Sequence, residues 1–358
     1  MFRFAPPRFP LILRVGVVAV RMQTKENHMI ETVFSAELPV REHLLVQKNR
    51  IVGADLAREA GLLPGQSTDE ARRPDVLERA PRMAVVTGVH GDELEGQRVA
   101  FELARILNQH LDQLHGIVDI YPAINPLGIN SIERGVPGYD LDLNRVFPGN
   151  EQGSLTEALA AAVVNDIKGA LACVDIHASN IFLREMPQVR INEITAKELV
   201  PLAHLINIDF VWVHASATVL ESTLAYSLNA VGTKTLVVET GVGMRITPHE
   251  TWRLAQGMLR LANHFGIWSG EFEVHGDPMI SGDHQVSFLN ANAAGVFLPK
   301  AEHGKRVGKG ELIGLIVDPL AGEVREEVRC PANGLLFTLR EYPVVYPGSL
   351  LARVLGGE

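Results

Sequence analysis

Met83-Ala-Val-Val-Thr-Gly-Val-His90-Gly-Asp-Glu93-Leu-Glu95 carries more information than any other stretch of this chain. The apolar run Met83–Val86 has the make-up of a buried strand. Gly88 and Gly91 punctuate a turn, and Glu95–Gln109 then repeats apolar residues at helical spacing. Strand, glycine turn and helix form the unit of an open α/β sheet, which keeps its ligands at the carboxyl ends of its strands. The turn delivers a histidine and a carboxylate three positions apart. His90 and Glu93 are therefore expected to be two of three protein ligands to a catalytic zinc.

The spacing alone decides little. The chain has 13 histidines, and His28/Glu31 repeats the pattern in a stretch with no strand before it. Context selects between the copies. Gly116–Tyr121 reads as a strand, Asn125–Gly149 as a long glycine- and proline-rich loop, and Leu155–Lys168 as a helix. Ala172–Ile176 is a further strand that runs into His177. Parallel strands bring their C-terminal ends to one edge, so His177 can join His90 despite the distance in sequence. Asp175, two residues earlier, shares a strand face with His177 and is placed to accept the second ring N–H of a ligand histidine.

Thr235-Leu-Val-Val-Glu239 ends an apolar strand in a carboxylate. Burying that charge is costly without a partner. Beside a metal ion and its water it has one, and it becomes the general base that later protonates a leaving amine. In Asp140-Leu-Asp-Leu-Asn-Arg145 the leucines alternate with polar residues. Arg145 there presents a planar fork suited to a substrate carboxylate. Arg134, upstream in the same loop, is a candidate for stabilising an oxyanion. Val211–Val213 adds a strand and Pro248–Phe265 a helix. The alternation implies a mostly parallel or mixed sheet flanked by helices.

Past Trp268 the helical pattern stops. Short β-rich runs recur at Gly295–Leu298, Leu312–Val317, Leu335–Leu339 and Leu350–Val354, as in a small all-β domain. Val307–Gly314 and Cys330–Phe337 resemble the barrel-sandwich fold of biotinyl and lipoyl carrier domains. The intervening Asp318–Arg329 contains no lysine, so a structural or substrate-shielding role is expected rather than a swinging arm. The expected organisation is a hydrolase domain over 30–267 and a β-domain over 268–358. Residues 1–29 are read as an extension that is disordered or precedes the true start at Met22 or Met29.

Composition bounds the partners. Of 358 residues 46% are hydrophobic and 21% charged, as in ordinary globular proteins. The net charge of −9, with no basic tail, argues against nucleic acid. The apolar run Val15–Val20 is too short to span a bilayer, so no membrane association is expected. Cys173 and Cys330 are far apart and form no thiolate zinc motif, which favours a reducing, cytoplasmic setting and a metal held by histidine and carboxylate. No His-Glu-x-x-His, Gly-x-Ser-x-Gly, Walker or Gly-x-Gly-x-x-Gly signature occurs.

Taken together, His90-Gly-Asp-Glu93, Asn125-Pro-Leu-Gly, Asp142-Leu-Asn-Arg145, Asp175-Ile-His177 and Glu239-Thr-Gly resemble the succinylglutamate desuccinylase/aspartoacylase family, a branch of the zinc carboxypeptidase-like clan. The resemblance covers roughly residues 80–265. It implies one Zn2+ per chain held by His90, Glu93 and His177, with Glu239 as general base and acid. Asn144 and Arg145 would bind a substrate carboxylate, and Arg184 or Arg190 would supply further charge to the pocket. The expected activity is hydrolysis of the amide in a small N-acylated amino acid, by a chain that is a candidate homo-oligomer. A carboxypeptidase acting on short peptides and a non-catalytic metal- or partner-binding protein are the alternatives.

Overall fold

The computed structural model describes residues 22–23, 28–62, 73–139, 141–215 and 221–356. Most of the N-terminal extension expected over 1–29 lies outside them, as does Asp140.

Four parallel strands make the centre of a large mixed sheet, in the order Ile117–Tyr121, Arg82–Thr87, Ala172–Ala178, Lys234–Gly241. Alternation along them sorts the side chains into two layers. Met83 and Val85 pack with Val174, Ile176 and Val238 against helices Glu95–Gln109 and Pro248–His264. Ala84, Val86 and Cys173 pack on the other face against helices Leu155–Ile167 and Leu224–Ala230. Both faces are thus covered, which is why these strands read as continuous apolar runs rather than alternating ones.

Antiparallel strands extend both edges. On one side His28–Glu37 and His43–Val52 form a hairpin whose second strand pairs with Ile117–Tyr121. The sequence of this region mixes short apolar runs with helix-like charge spacing, yet it folds as strands. The alternating burial of His43–Val46 shows one face of the hairpin against the core. On the other side Leu183–Asn192 pairs antiparallel with Lys234–Gly241 and parallel with Phe210–His214.

The sheet does not end near Trp268. Gly334–Arg340 pairs antiparallel with Leu183–Asn192, and Leu350–Leu355 and Val286–Asn290 follow it. A second, four-stranded antiparallel sheet stacks nearby, built from Glu323–Arg329, Leu312–Asp318, Gly295–Pro299 and Val344–Val345. These C-terminal strands enclose a core of their own around Phe297, Ile316, Leu336 and Leu351. The lysine-free hairpin turns at 319–322. Phe210 and Trp212 pack on Leu335 and Phe337, joining the two parts of the molecule.

Candidate metal centre and active-site cavity

The turn after Arg82–Thr87 is built on close backbone approach. Gly88 sits at φ 65°, and a side chain at Gly91 would place its Cβ 2.0 Å from the carbonyl carbon of Gly128. The long loop is thereby drawn against the turn, and the Gly91 N–H donates to the carbonyl of Arg134 at 3.3 Å. Asn125 secures the loop from within, accepting from the Gly128 N–H and donating to the Gly135 carbonyl.

His90, Glu93 and His177 meet at the sheet edge, all buried, with their ligand atoms within 4.8 Å of one another. His90 Nδ1 is 2.8 Å from Glu93 Oε1, His177 Nδ1 is 2.9 Å from Glu93 Oε2, and the two Nδ1 atoms are 3.2 Å apart. Ligands about 2.0–2.1 Å from a tetrahedral zinc would be about 3.3 Å from each other. Two nitrogens and a carboxylate already stand at close to that separation.

Each imidazole turns its other nitrogen toward a carboxylate. His90 Nε2 donates to Asp142 at 2.9 Å, and His177 Nε2 lies 3.1 Å from Asp175, though off the direct hydrogen-bond axis. That arrangement exposes Nδ1 as the lone-pair donor of both rings once they are neutral. The expected place of Asp175 is what the structure has. The partnership of Asp142 with His90 is not visible in the sequence, where Asp142 is only one polar position of an alternating loop. Asp142 is oriented by accepting from the Asn144 N–H at 2.9 Å.

Burial opposes charge on His90 and His177, but the surrounding carboxylates outweigh it. Both imidazoles are held above their usual pKa, His177 well above. Burial likewise works against a charged Glu93, and the two histidines overcome it and hold the carboxylate well below its ordinary range. A divalent ion takes up neutral imidazole and ionised carboxylate, so it would compete with protons for both rings. The residues present fit zinc.

Glu239 stands directly opposite His177 in the neighbouring parallel strand, on the same face. Its side chain is 17% exposed, and burial raises its pKa while Arg190 and His177 pull it down. Arg190 Nη1 is 3.3 Å from Glu239.

Arg134 donates to Glu93 at 2.7 Å. Asn144 is buried, with its side-chain oxygen accepting from the Leu224 N–H. Arg145 is 44% exposed, donates to the Asn144 carbonyl and reaches Asp142 only at 3.8 Å. Arg134, Asn144 and Arg145 line one cavity of about 940 Å³, together with His90, Glu93, His177 and Glu239.

Of the two arginines considered on Leu183–Asn192, Arg190 lines the cavity and Arg184 pairs with Glu341 on the exposed surface. A break in register between Glu185 and Gln188 upsets the strand's alternation, so Glu185 shares the cavity wall with Arg190. The second His-x-x-Glu copy lies at the sheet edge, where Glu31 pairs with Lys48 and Arg50. Among the described residues no helix is long and apolar enough to cross a membrane.

Residues 79–265 match the model of the succinylglutamate desuccinylase/aspartoacylase catalytic domain. A relative from Halomonas elongata, N-alpha-acetyl-L-2,4-diaminobutyric acid deacetylase, is 26% identical over 288 residues, covering 76% of this chain and 81% of that protein. Among solved structures, the product-bound ectoine utilization protein EutE (DoeB) from Ruegeria pomeroyi superposes with a TM-score of 0.74 at 18% identity, covering 96% of this chain and 100% of the other. The succinylglutamate desuccinylase/aspartoacylase from Rhodobacter sphaeroides gives 0.71 at 20% identity, covering 93% and 97%. At those identities the structures speak for a shared fold.

Proposed function

This chain belongs to the succinylglutamate desuccinylase/aspartoacylase family, and from that premise we propose that it is a zinc-dependent hydrolase of small N-acylated amino acids. The observation that carries the reading is the meeting of His90, Glu93 and His177 around one point, with Glu239 opposite His177 across the strand pair.

His90, Glu93 and His177 would hold the ion, with Asp142 and Asp175 fixing the rings that face it. Bound there, zinc supplies Lewis acidity, which brings the pKa of water down from about 15.7 to about 7. A carboxylate is then base enough. Glu239 takes a proton from the attacking water on a carboxylate oxygen and hands it to the departing nitrogen, so that acid and amine leave as products. Arg134, which lines the cavity beside Glu93, would be the donor to the oxyanion. Arg145 has open donors on the cavity side of Asn144 and suits a substrate carboxylate, with Arg190 adding positive charge to the wall.

The relative from Halomonas elongata is a deacetylase of an N-acetylated amino acid, which makes N-acetyl amino acids the first substrates to try and N-succinyl amino acids the second. Released amine is the readout. Purified protein never exposed to chelator should hold about one equivalent of zinc and turn over at least one compound. Less than about half an equivalent, or no turnover across the panel with zinc added, overturns the reading.

A further inference from the structure

Glu185 is buried, 2% exposed, on the strand next to the one that carries Glu239. Its carboxylate is engaged from two parts of the molecule. From its own strand Gln188 Nε2 donates at 2.8 Å, and Arg190 Nη2 lies 3.5 Å away. From the C-terminal strands the Thr338 hydroxyl donates to one oxygen and Arg353 Nη1 donates to the other at 2.6 Å. The remaining terminal nitrogen of Arg190 is the one that faces Glu239 at 3.3 Å.

The result is a row of alternating charges, Arg353, Glu185, Arg190, Glu239, every member of which lines the cavity. The row is held laterally by Trp212, whose ring lies 5.8 Å from the Arg190 guanidinium and 5.5 Å from that of Arg353. The indole N–H of Trp212 donates to Asp283 at 2.8 Å, and the ring packs among Phe210, Leu335 and Phe337.

We propose that Arg353, on the C-terminal strand Leu350–Leu355, is a positioning residue for amide hydrolysis, acting through Glu185 and Arg190 to hold Glu239 in place. The inference rests on Glu239 being the base. With Arg353 present, two carboxylates share two guanidiniums. Without it, Glu185 and Glu239 compete for Arg190 alone. Glu185 has a side chain only 1% exposed against 17% for Glu239, so it sits in the lower dielectric and attracts the cation more strongly. Arg190 would swing toward Glu185 and leave Glu239 without its lateral partner. A small misplacement of a reacting group is enough to slow catalysis strongly. The C-terminal strands thereby set the charge balance along one wall of the cavity.

The test uses the full-length zinc protein and the best substrate from the amine-release panel. Arg353→Gln is shorter than arginine but keeps an amide NH2 as donor, and it removes the charge. It should lower kcat about ten- to hundredfold, leave KM within about twofold, and leave zinc content unchanged, whereas Arg353→Lys should restore most of the loss. Adding Glu185→Gln to Arg353→Gln should also recover most of the activity, because Arg190 then has one carboxylate to serve. A merely structural role predicts the opposite, since the second substitution removes still more hydrogen bonds. Unchanged kcat in Arg353→Gln, or losses that multiply in the double variant, overturns the proposal. Should Arg353→Gln not fold, the comparison is made in the Glu185→Gln background, where removing the Arg353 charge should leave kcat unaltered and a further tenfold loss refutes the inference. A wild type that hydrolyses nothing fails the hydrolase reading, while an active wild type beside an equally active Arg353→Gln fails only the role of Arg353.

Discussion

Two clusters of buried charge lie in the same sheet, and they balance their books differently. In the first, Lys48, Arg50 and Arg82 meet Glu31, Asp119 and Asp166. Arg50 grips Asp119 with two bonds of 2.8 Å, Lys48 reaches Asp166 at 2.7 Å, and Tyr121 donates to Asp166 at 2.6 Å. Three permanent cations face three carboxylates, and nothing further is required. In the second, Glu93 and Asp142 touch one guanidinium, Arg134, with Arg145 3.8 Å out on the open side, and Asp175 faces His177. The groups beside these carboxylates are His90 and His177, whose charge depends on their protons. Two imidazolium protons carry the same charge as one divalent ion, which makes the second cluster a site and the first a clamp. A buried charge cluster points to function when its balance depends on groups that can change their charge.

The sharpest way to break this contrast is at Glu239, which belongs to neither set of paired charges. Glu239→Gln should keep its zinc and lose about 10²–10⁴ in kcat, measured by metal analysis and amine release on one preparation. A variant that keeps its metal and most of its turnover would deprive the second cluster of its chemistry. Next come matched substitutions in the two clusters. Asp119→Ala should cost about 3–5 kcal/mol in urea unfolding, because it strands buried cations, while the folded fraction binds zinc normally. Asp142→Asn should weigh the other way, weakening zinc by about 10–100-fold in a competition titration and costing the metal-free protein less stability than Asp119→Ala does. If Asp119→Ala weakened zinc more than it weakened the fold, the division between clamp and site would fail.

The smallest effect is in pH. His90 and His177 have folded pKa values above the unfolded value of about 6.5. Their protonation stabilises the metal-free fold fully below that pH, and the contribution is lost as pH rises through the folded values. Metal-free protein should therefore melt a few degrees lower when taken from neutral to alkaline pH, at about 2–4 °C per kcal/mol lost. Zinc-loaded protein should show the opposite slope over the same range, since protons compete with the ion. In the clamp, Asp119 is held low against its burial by Arg50, and Arg50 is raised against its own burial by the same carboxylate. Parallel slopes with and without zinc would remove the distinction.

The strand, turn and helix around His90, the strand into His177 and the strand into Glu239 were legible because each is local. Periodicity and glycine placement within about a dozen residues define them, and parallel strands then have to bring their ends to one edge. The hairpin His28–Val52 was not legible, because the charges of its second strand find their partners, Asp119 and Asp166, far along the chain. The choice between Arg184 and Arg190 was not legible either. It turns on one extra residue in a bulge, and sequence periodicity carries no record of where a strand slips its register.

What the sequence by itself determined about this protein is therefore the convergence of His90, Glu93 and His177 and the parallel strand ends that carry them, along with the alternation that separates Asp175 and His177 from the apolar face. Only the tertiary structure decided that Asp142 orients His90, that Glu185 faces the cavity, and that Arg353 arrives from the C-terminal strands to balance it. Nearest-neighbour preferences are written in order along the chain, whereas the pairing of buried charges is settled by which distant groups share a low-dielectric space once the sheet has closed over them.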